Sequence, residues 1–97
     1  MENLILEAIA HKRLIQFQYN RLLRITEPHV YGVTNGVRQI LGFQIGGQSS
    51  NGKLPDWRRF DLTQIFHLTI LNETFPGRRL IPSGKHSSWD LRISIVS

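Results

Sequence analysis

The residues with the clearest chemical potential in this chain are arginines that stand close to aromatic residues. Arg24 lies in a segment of alternating pattern, and Arg58 is followed directly by Arg59 and Phe60. A guanidinium presents a planar fork of N–H donors, so it binds phosphate or carboxylate oxygens in pairs. An aromatic ring offers a face on which a nucleobase stacks. The candidate ligand- and phosphate-binding residues are Arg24, Arg58, His29, Tyr19, Tyr31, Arg59 and Phe60.

A structural interpretation of the same residues is open. The carboxylates of Glu27, Asp56 and Asp61 stand near these arginines in the sequence and can pair with them as surface ion pairs. Tyr19 and Phe60 would then be ordinary core residues. Composition alone favours this interpretation.

The sequence Glu27-Pro28-His29 places a carboxylate next to an imidazole. Such a pair can act in acid–base catalysis or ligate a metal. The other histidines have no ligand spacing, so we predict neither a metal nor a cofactor. We interpret His29 as a hydrogen-bonding residue at a bent strand, with contact to a ligand as the alternative. No hydrolase or thiol motif is recognisable, which predicts a non-enzymatic protein. The enzymatic alternative is a phosphodiester hydrolase with His29 as its base.

Composition restricts the class of protein. The 97 residues suffice for one domain, and 40% hydrophobic with 20% charged residues is typical of a globular chain. The net charge is +5 and nine of the twelve basic residues are arginine, which favours an anionic partner. The chain has no cysteine, no apolar run of membrane-spanning length and no basic export signal. We therefore expect a cytoplasmic protein with no membrane partner.

The periodicity changes from helical to alternating near residue 13. Apolar residues at helical spacing predict a helix over residues 2–12. Alternating residues predict strands around 15–19, 23–34, 37–45, 57–62, 65–71 and 89–96. Asn20-Arg21 and Asn35-Gly36 are predicted two-residue turns. Pro28 predicts an edge, a bend or a bulge, since proline donates no ladder hydrogen bond.

The remaining segments read as connections. Residues 46–56 predict a flexible hairpin loop rather than a phosphate cradle, because the P-loop ending is missing. Residues 72–88 predict a long connection in which Arg78 and Arg79 are solvated. In the tail, apolar residues on one face of 89–96 predict a strand that closes an edge or pairs with a second copy.

One helix followed by five or six short strands predicts a mainly β fold, a small closed barrel with the helix over an open end. We expect a single domain over 1–97, with the helix at 2–12, barrel strands over about 13–72, and a connection and extra C-terminal strand over 73–97.

From about Leu4 to Phe75 the chain resembles the WYL domain, a bacterial module named for its Trp-Tyr-Leu motif. The matching pieces, in order, are Ala8-Ile9, Lys12-Arg13, Ile15–Tyr19, Arg24–His29, Gly42-Phe43 and Arg58–Leu62 leading into Ile65. The resemblance implies an Sm-like (SH3-like) barrel that binds a nucleotide or single-stranded nucleic acid in regulation or defence. Its Arg-x-Phe pattern selects Arg58 rather than Arg59, since neighbouring strand residues face opposite sides.

The chain departs from that family in two ways. Arg38, Gln39 and Ile40 stand where the family has Trp, Tyr and Leu, so the motif itself is degenerate. The helix-turn-helix domain that usually accompanies the module is also missing. The resemblance therefore implies a stand-alone sensory module.

The predicted function is non-enzymatic binding of a nucleotide or single-stranded nucleic acid through an arginine-rich pocket. The alternative is a protein-interaction or oligomerisation module that uses the C-terminal strand, with a homodimer or a separate regulator protein as partner.

Overall fold

The computed structural model describes residues 1–49, 52–80 and 88–97. Its elements are α1 (Glu2–Ala10), β1 (Arg13–Tyr19), β2 (Leu22–Thr34), β3 (Val37–Gly47), β4 (Asp56–Asp61), a one-turn 3-10 helix (Leu62–Gln64), β5 (Phe66–Thr74) and β6 (Leu91–Ile95). The described chain is mainly β with one N-terminal helix, as predicted. Parts of the predicted loop and connection, residues 50–51 and 81–87, lie outside the described residues.

Helix α1 ends two residues before the predicted boundary. Lys12 adopts a φ of 53°, in the left-handed region, and this ends the helical path and directs the chain into β1. Ile5, Ala8 and Ile9 are buried, so α1 covers the core with one face, as its spacing predicts.

The sheet is antiparallel, with the strand order β4-β3-β2-β1-β5, and β6 pairs with β2 beside this path. No pairing between the end strands β4 and β5 occurs among the described residues, so the sheet is not closed into the predicted barrel. The 3-10 helix joins these two strands, and Ile65 after it is buried in the core.

Strand β2 is the centre of the sheet and is irregular next to Pro28. On one edge, β1 pairs with residues 22–26 and β6 with residues 30–33, while β3 pairs along the other edge. Pro28 lies in the gap between β1 and β6, where its missing N–H disrupts no ladder. The register with β3 shifts between Pro28 and Val30, which confirms the predicted bulge.

Both predicted two-residue turns are confirmed. Tyr19 pairs with Leu22, and Thr34 pairs with Val37. The turn residues have positive φ values, 52° and 63° at Asn20-Arg21 and 51° and 76° at Asn35-Gly36, as a type I′ turn requires. These turns set the register of the β1–β2 and β2–β3 hairpins.

The sheet is covered on both faces. The inner face, under α1, packs Phe17, Tyr31, Ile40 and Phe60 into the main core. The outer face carries a smaller core of Val30, Leu41, Phe43 and Trp57, against which Trp89 packs. Strand β3 therefore buries consecutive residues, Ile40 inward and Leu41 outward, rather than one alternating set.

Strand β6 corrects the prediction of a single apolar face. It pairs with β2 of its own chain, and the register shifts opposite Tyr31 and Gly32. This irregularity interrupts the alternation of side chains. Leu91, Ile93 and Ile95 are exposed, whereas Val96 after the strand is buried in the main core.

In the described part of the chain, no helix has the length and apolar character needed to cross a membrane.

The β2–β6 contact predicts a strong effect of a methyl group at Gly32. A Cβ at this position would collide with the Leu91 carbonyl oxygen and the Trp89 ring. We expect Gly32→Ala to lower the free energy of unfolding by about 2 kcal/mol, in the range typical of overpacking, measured by urea denaturation. Gly46→Ala is the control, because a Cβ there meets Ile25 at an ordinary 3.6 Å. Equal stability of the two variants would contradict the described packing of β6.

Candidate anion-binding site

Arg24, Gln44 and Arg58 come from three adjacent strands and lie on the inner face of the sheet. Arg24 pairs with the core residue Phe17 on β1. Arg58 lies two residues from the core residue Phe60, so both point to the same side of β4. The order β2-β3-β4 brings the three polar side chains together at one part of this face.

Arg24 is the most deeply buried basic side chain of this group, with 3% of its surface exposed. Its Nη1 donates to Gln44 Oε1 at 3.3 Å, and its Nη2 donates to the Tyr19 carbonyl oxygen at 3.1 Å. Its Nε is buried without a hydrogen-bond partner among the described residues. A buried guanidinium with an unsatisfied donor is costly unless an anion compensates it.

Two aromatic rings hold the Arg24 guanidinium in place. Its central carbon lies 5.7 Å from the centre of the Tyr19 ring and 5.8 Å from that of Phe60. The two rings pack edge to face at 5.0 Å, and the Tyr19 hydroxyl accepts a hydrogen bond from the Asp61 amide. Arg24 therefore has cation–π contacts that fix its orientation.

The electrostatics of the site are set by the two positive charges of Arg24 and Arg58. Burial lowers the pKa of Arg24 below its ordinary value, and the positive charge of Arg58 lowers it further. The salt bridges between described residues do not include Arg24. The repulsion between two guanidinium groups of one site is relieved when an anion binds between them.

The β3–β4 connection links the two arginines. Gln44 is fully buried, and its Nε2 donates to the carbonyl oxygens of Gly46 and Gln48 at 3.0 and 2.8 Å. Arg58 donates through Nη2 to Ser49 Oγ at 2.6 Å. Gln44 and Ser49 thus tie the start of this connection to both guanidinium groups.

Arg59 lies on the outer face, away from Arg24 and Arg58. Its guanidinium stacks 3.9 Å from the centre of the Trp89 ring and donates to Thr34 Oγ1 and Gln39 Oε1. Burial lowers the pKa of Arg59, and the neighbouring Arg92 lowers it further. The structure therefore separates the two consecutive arginines as the strand geometry predicts.

His29 also lies apart from Arg24, in a buried network on the outer face. Its Nε2 is 3.0 Å from Glu27 Oε1, and both residues are at most 2% exposed. Its ring packs against Trp57 and Phe75. Arg79 donates to both carboxylate oxygens of Glu27, with the Nε contact at 2.7 Å. The prediction that Arg79 is solvated is wrong, because its guanidinium pairs with this buried carboxylate.

Tyr31 is fully buried further along β2. Its hydroxyl donates to Glu2 Oε2 at 2.6 Å and accepts from Arg38 at 3.0 Å. Burial raises the pKa of Tyr31, and the bond to Glu2 raises it further. This contact attaches α1 to the sheet. Of the two candidate tyrosines, Tyr19 is the one whose ring contacts Arg24.

The proposed ion-pair interpretation does not account for Arg24 within the described residues. Glu27 is engaged by His29 and Arg79, and Asp61 Oδ1 accepts from the amide and hydroxyl of Thr63 as the cap of the 3-10 helix. Arg24 accordingly relies on neutral acceptors within the described residues.

Sequence reasoning missed Gln44 and Arg79. Gln44 stands between two apolar residues, Phe43 and Ile45, and the apolar alternation around it masks a polar residue on the buried face. The only signal for Arg79 was a buried carboxylate at Glu27 that required a partner. Within the described ranges, no three His, Cys, Asp or Glu side chains are grouped as metal ligands.

The Glu27 network predicts acid-sensitive stability. Burial by itself raises the pKa of Glu27, but the hydrogen bonds from Arg79 and His29 outweigh it, and the net pKa is lowered. The stabilising contribution is therefore present above the ordinary glutamate pKa of about 4.3 and is lost as the pH falls through the lowered folded-state pKa. We expect unfolding free energies of wild type and Glu27→Gln to converge in this acid range. Glu73→Gln, at an exposed residue, is the control, and a constant difference between wild type and Glu27→Gln would contradict the assignment.

Removal of the cation tests the same network at neutral pH. Arg79→Met leaves the Glu27 carboxylate buried with His29 alone, so we expect a loss of about 3 kcal/mol in the free energy of unfolding. The neighbouring exposed residue provides a matched control, Arg78→Met, with an expected change within about 0.5 kcal/mol. Similar losses in the two variants would show that Arg79 is not a specific partner of Glu27.

This geometry is the main basis for a proposed function, because comparisons with known proteins found no match. No protein-family model matches the chain, and neither the curated proteins nor the solved structures contain a match.

Proposed function

We propose that the protein is a non-enzymatic binding module that recognises the phosphate of a nucleotide or of single-stranded nucleic acid through Arg24 and Arg58. The observation that carries the proposal is the Arg24 guanidinium. It is 3% exposed and has no carboxylate partner among the described residues, where its Nε is also unsatisfied, and the positive charge of Arg58 lowers its pKa.

Phosphate is the ligand chemistry that fits these groups. Its oxygens accept paired hydrogen bonds from guanidinium forks, and its negative charge offsets the repulsion between the two cations. Tyr19 is half-buried and holds its ring against Arg24, so it is the candidate wall or stacking surface for the attached base. Phe60, nearly fully buried, supports both groups from the core side.

The other candidate residues have structural contacts in this proposal and do not bind the phosphate. His29 belongs to the Glu27 network, Tyr31 anchors α1, and Arg59 stacks on Trp89. None of the three contacts Arg24 directly in the bonds described above. The proposal therefore rests on fewer residues than the sequence pattern indicated.

The relation to WYL domains and to Sm-like or SH3-like barrels is part of the same proposal. The strand order β4-β3-β2-β1-β5, with a 3-10 helix between β4 and β5, supports an opened relative of such a barrel. The Arg-x-Phe sequence at Arg58 and Phe60, with both residues on the inner face, is consistent with that relation.

The binding experiment is a titration of a fluorescent mononucleotide and a fluorescent oligothymidylate at low and at physiological salt. We expect Arg58→Gln to weaken both by roughly tenfold or more, the effect of one lost charge-assisted hydrogen bond. Arg78→Gln removes the same charge from an exposed site and is expected to leave mononucleotide affinity unchanged. Absence of binding at low salt, or equal affinities of the two variants, would refute the proposed site.

Arg24 is tested by a change that keeps the fold. In Arg24→Met an apolar chain replaces the buried cation and leaves Gln44 Oε1 and the Tyr19 carbonyl oxygen without this donor, so we expect a loss of about 1–2 kcal/mol in the free energy of unfolding together with lost phosphate binding. Thermal and urea unfolding measure the first quantity, and the nucleotide titration measures the second. A loss of stability as large as that of Arg79→Met would show that Arg24 has a structural role instead.

A further inference from the structure

The depth of Arg24 restricts the form of phosphate that can reach it. Arg24 is 3% exposed and its partner Gln44 is fully buried. A polyanion that lies across the surface presents its phosphates to exposed side chains. A phosphate that contacts Arg24 must instead project inward from the rest of its molecule.

The donors that remain on Arg24 also have a direction. A guanidinium carries five N–H groups, and the two described bonds lead to Gln44 and to the Tyr19 carbonyl oxygen. The Nε–H, on the stem side of the fork, has no acceptor among residues 1–49, 52–80 and 88–97. An incoming oxygen must therefore approach the buried Nε–H itself, which favours a group with several unsubstituted oxygens.

Charge gives an independent argument. Arg24 and Arg58 together carry two positive charges, and burial and mutual repulsion lower the pKa of Arg24. A phosphate monoester carries about −1.5 to −2 charges at neutral pH and three strong acceptor oxygens. An internal phosphodiester carries one charge and has chain on both sides. Of the two, the monoester matches the charge of the site and can enter end-on.

We infer that the site takes a terminal phosphate monoester, on a mononucleotide or at the end of an oligonucleotide, in preference to an internal phosphodiester. This inference rests on the proposed function and specifies its ligand. The mononucleotide and the oligonucleotide end share one chemistry, and the experiment below separates them.

The experiment compares one oligothymidylate in four forms: 5′-phosphorylated, 3′-phosphorylated, with hydroxyl ends, and circular. Each competes against a fluorescent 5′-phosphorylated probe, with thymidine monophosphate and thymidine as small competitors. We expect at least one phosphorylated form to bind tenfold or more tightly than the hydroxyl-ended form. The circle and thymidine should compete weakly. Stronger competition by thymidine monophosphate than by the oligonucleotides identifies the free nucleotide as the preferred source.

Variants assign the preference to this site. In Arg58→Gln the advantage of the phosphorylated end should shrink, whereas the exposed-site control Arg78→Gln should retain it. Equal binding of circular, hydroxyl-ended and phosphorylated forms, still dependent on Arg58, overturns the terminal-phosphate inference and leaves the proposed function standing. Failure of every form to bind at low salt refutes the proposed function, and this inference falls with it.

Discussion

The structure depends on the two-sided burial of β2. This strand of thirteen residues carries the inner core on one face and the outer core on the other, and it pairs with three other strands. Pro28 lies between the segment that pairs with β1 and the segment that pairs with β6, so the two strands share a single edge without a lost ladder bond. Because successive side chains point to opposite faces, β2 sends Arg24 to the inner face and Glu27 to the outer face.

The buried charges of β2 are compensated in different ways. Glu27 has two hydrogen-bonded partners within the chain, and its lowered pKa is the expected result of that pairing. Arg24 has neutral acceptors, two aromatic rings and a second cation nearby. A buried ion pair that is complete within the fold serves structure. A buried cation whose compensation is incomplete is the arrangement that the proposed phosphate would complete.

The sequence predicts local features well and their assembly less well. The Asn35-Gly36 turn, the bulge at Pro28 and the opposite orientation of Arg58 and Arg59 follow from backbone preferences and strand period, which act within a few residues. Closure of the sheet depends on whether β4 and β5, which are consecutive in the chain but stand at opposite ends of the strand order, come together. That depends on the curvature of the whole sheet between them, a long-range property that no local pattern encodes. The long-range partner of Glu27, Arg79, was unpredictable for the same reason, since fifty-two residues separate the two.

The candidate site shows why residue types alone predict more ligand-binding residues than the fold brings together. Seven residues shared a plausible chemistry, but the two faces of the sheet divide them, and residues on opposite faces do not contact one another across the sheet. His29 and Arg59 are polar side chains of the predicted kind, but they lie on the outer face of the sheet. There His29 contacts Glu27 and Arg59 stacks on Trp89. The face of the sheet to which a residue's position in its strand directs the side chain is thus a stricter criterion than the residue type. Applied to the candidate basic residues of β2 and β4, it retains Arg24 and Arg58, and on β3 it adds Gln44. Gln44 accepts a hydrogen bond from Arg24 and donates to the carbonyl oxygens of Gly46 and Gln48, next to the Ser49 hydroxyl that Arg58 contacts.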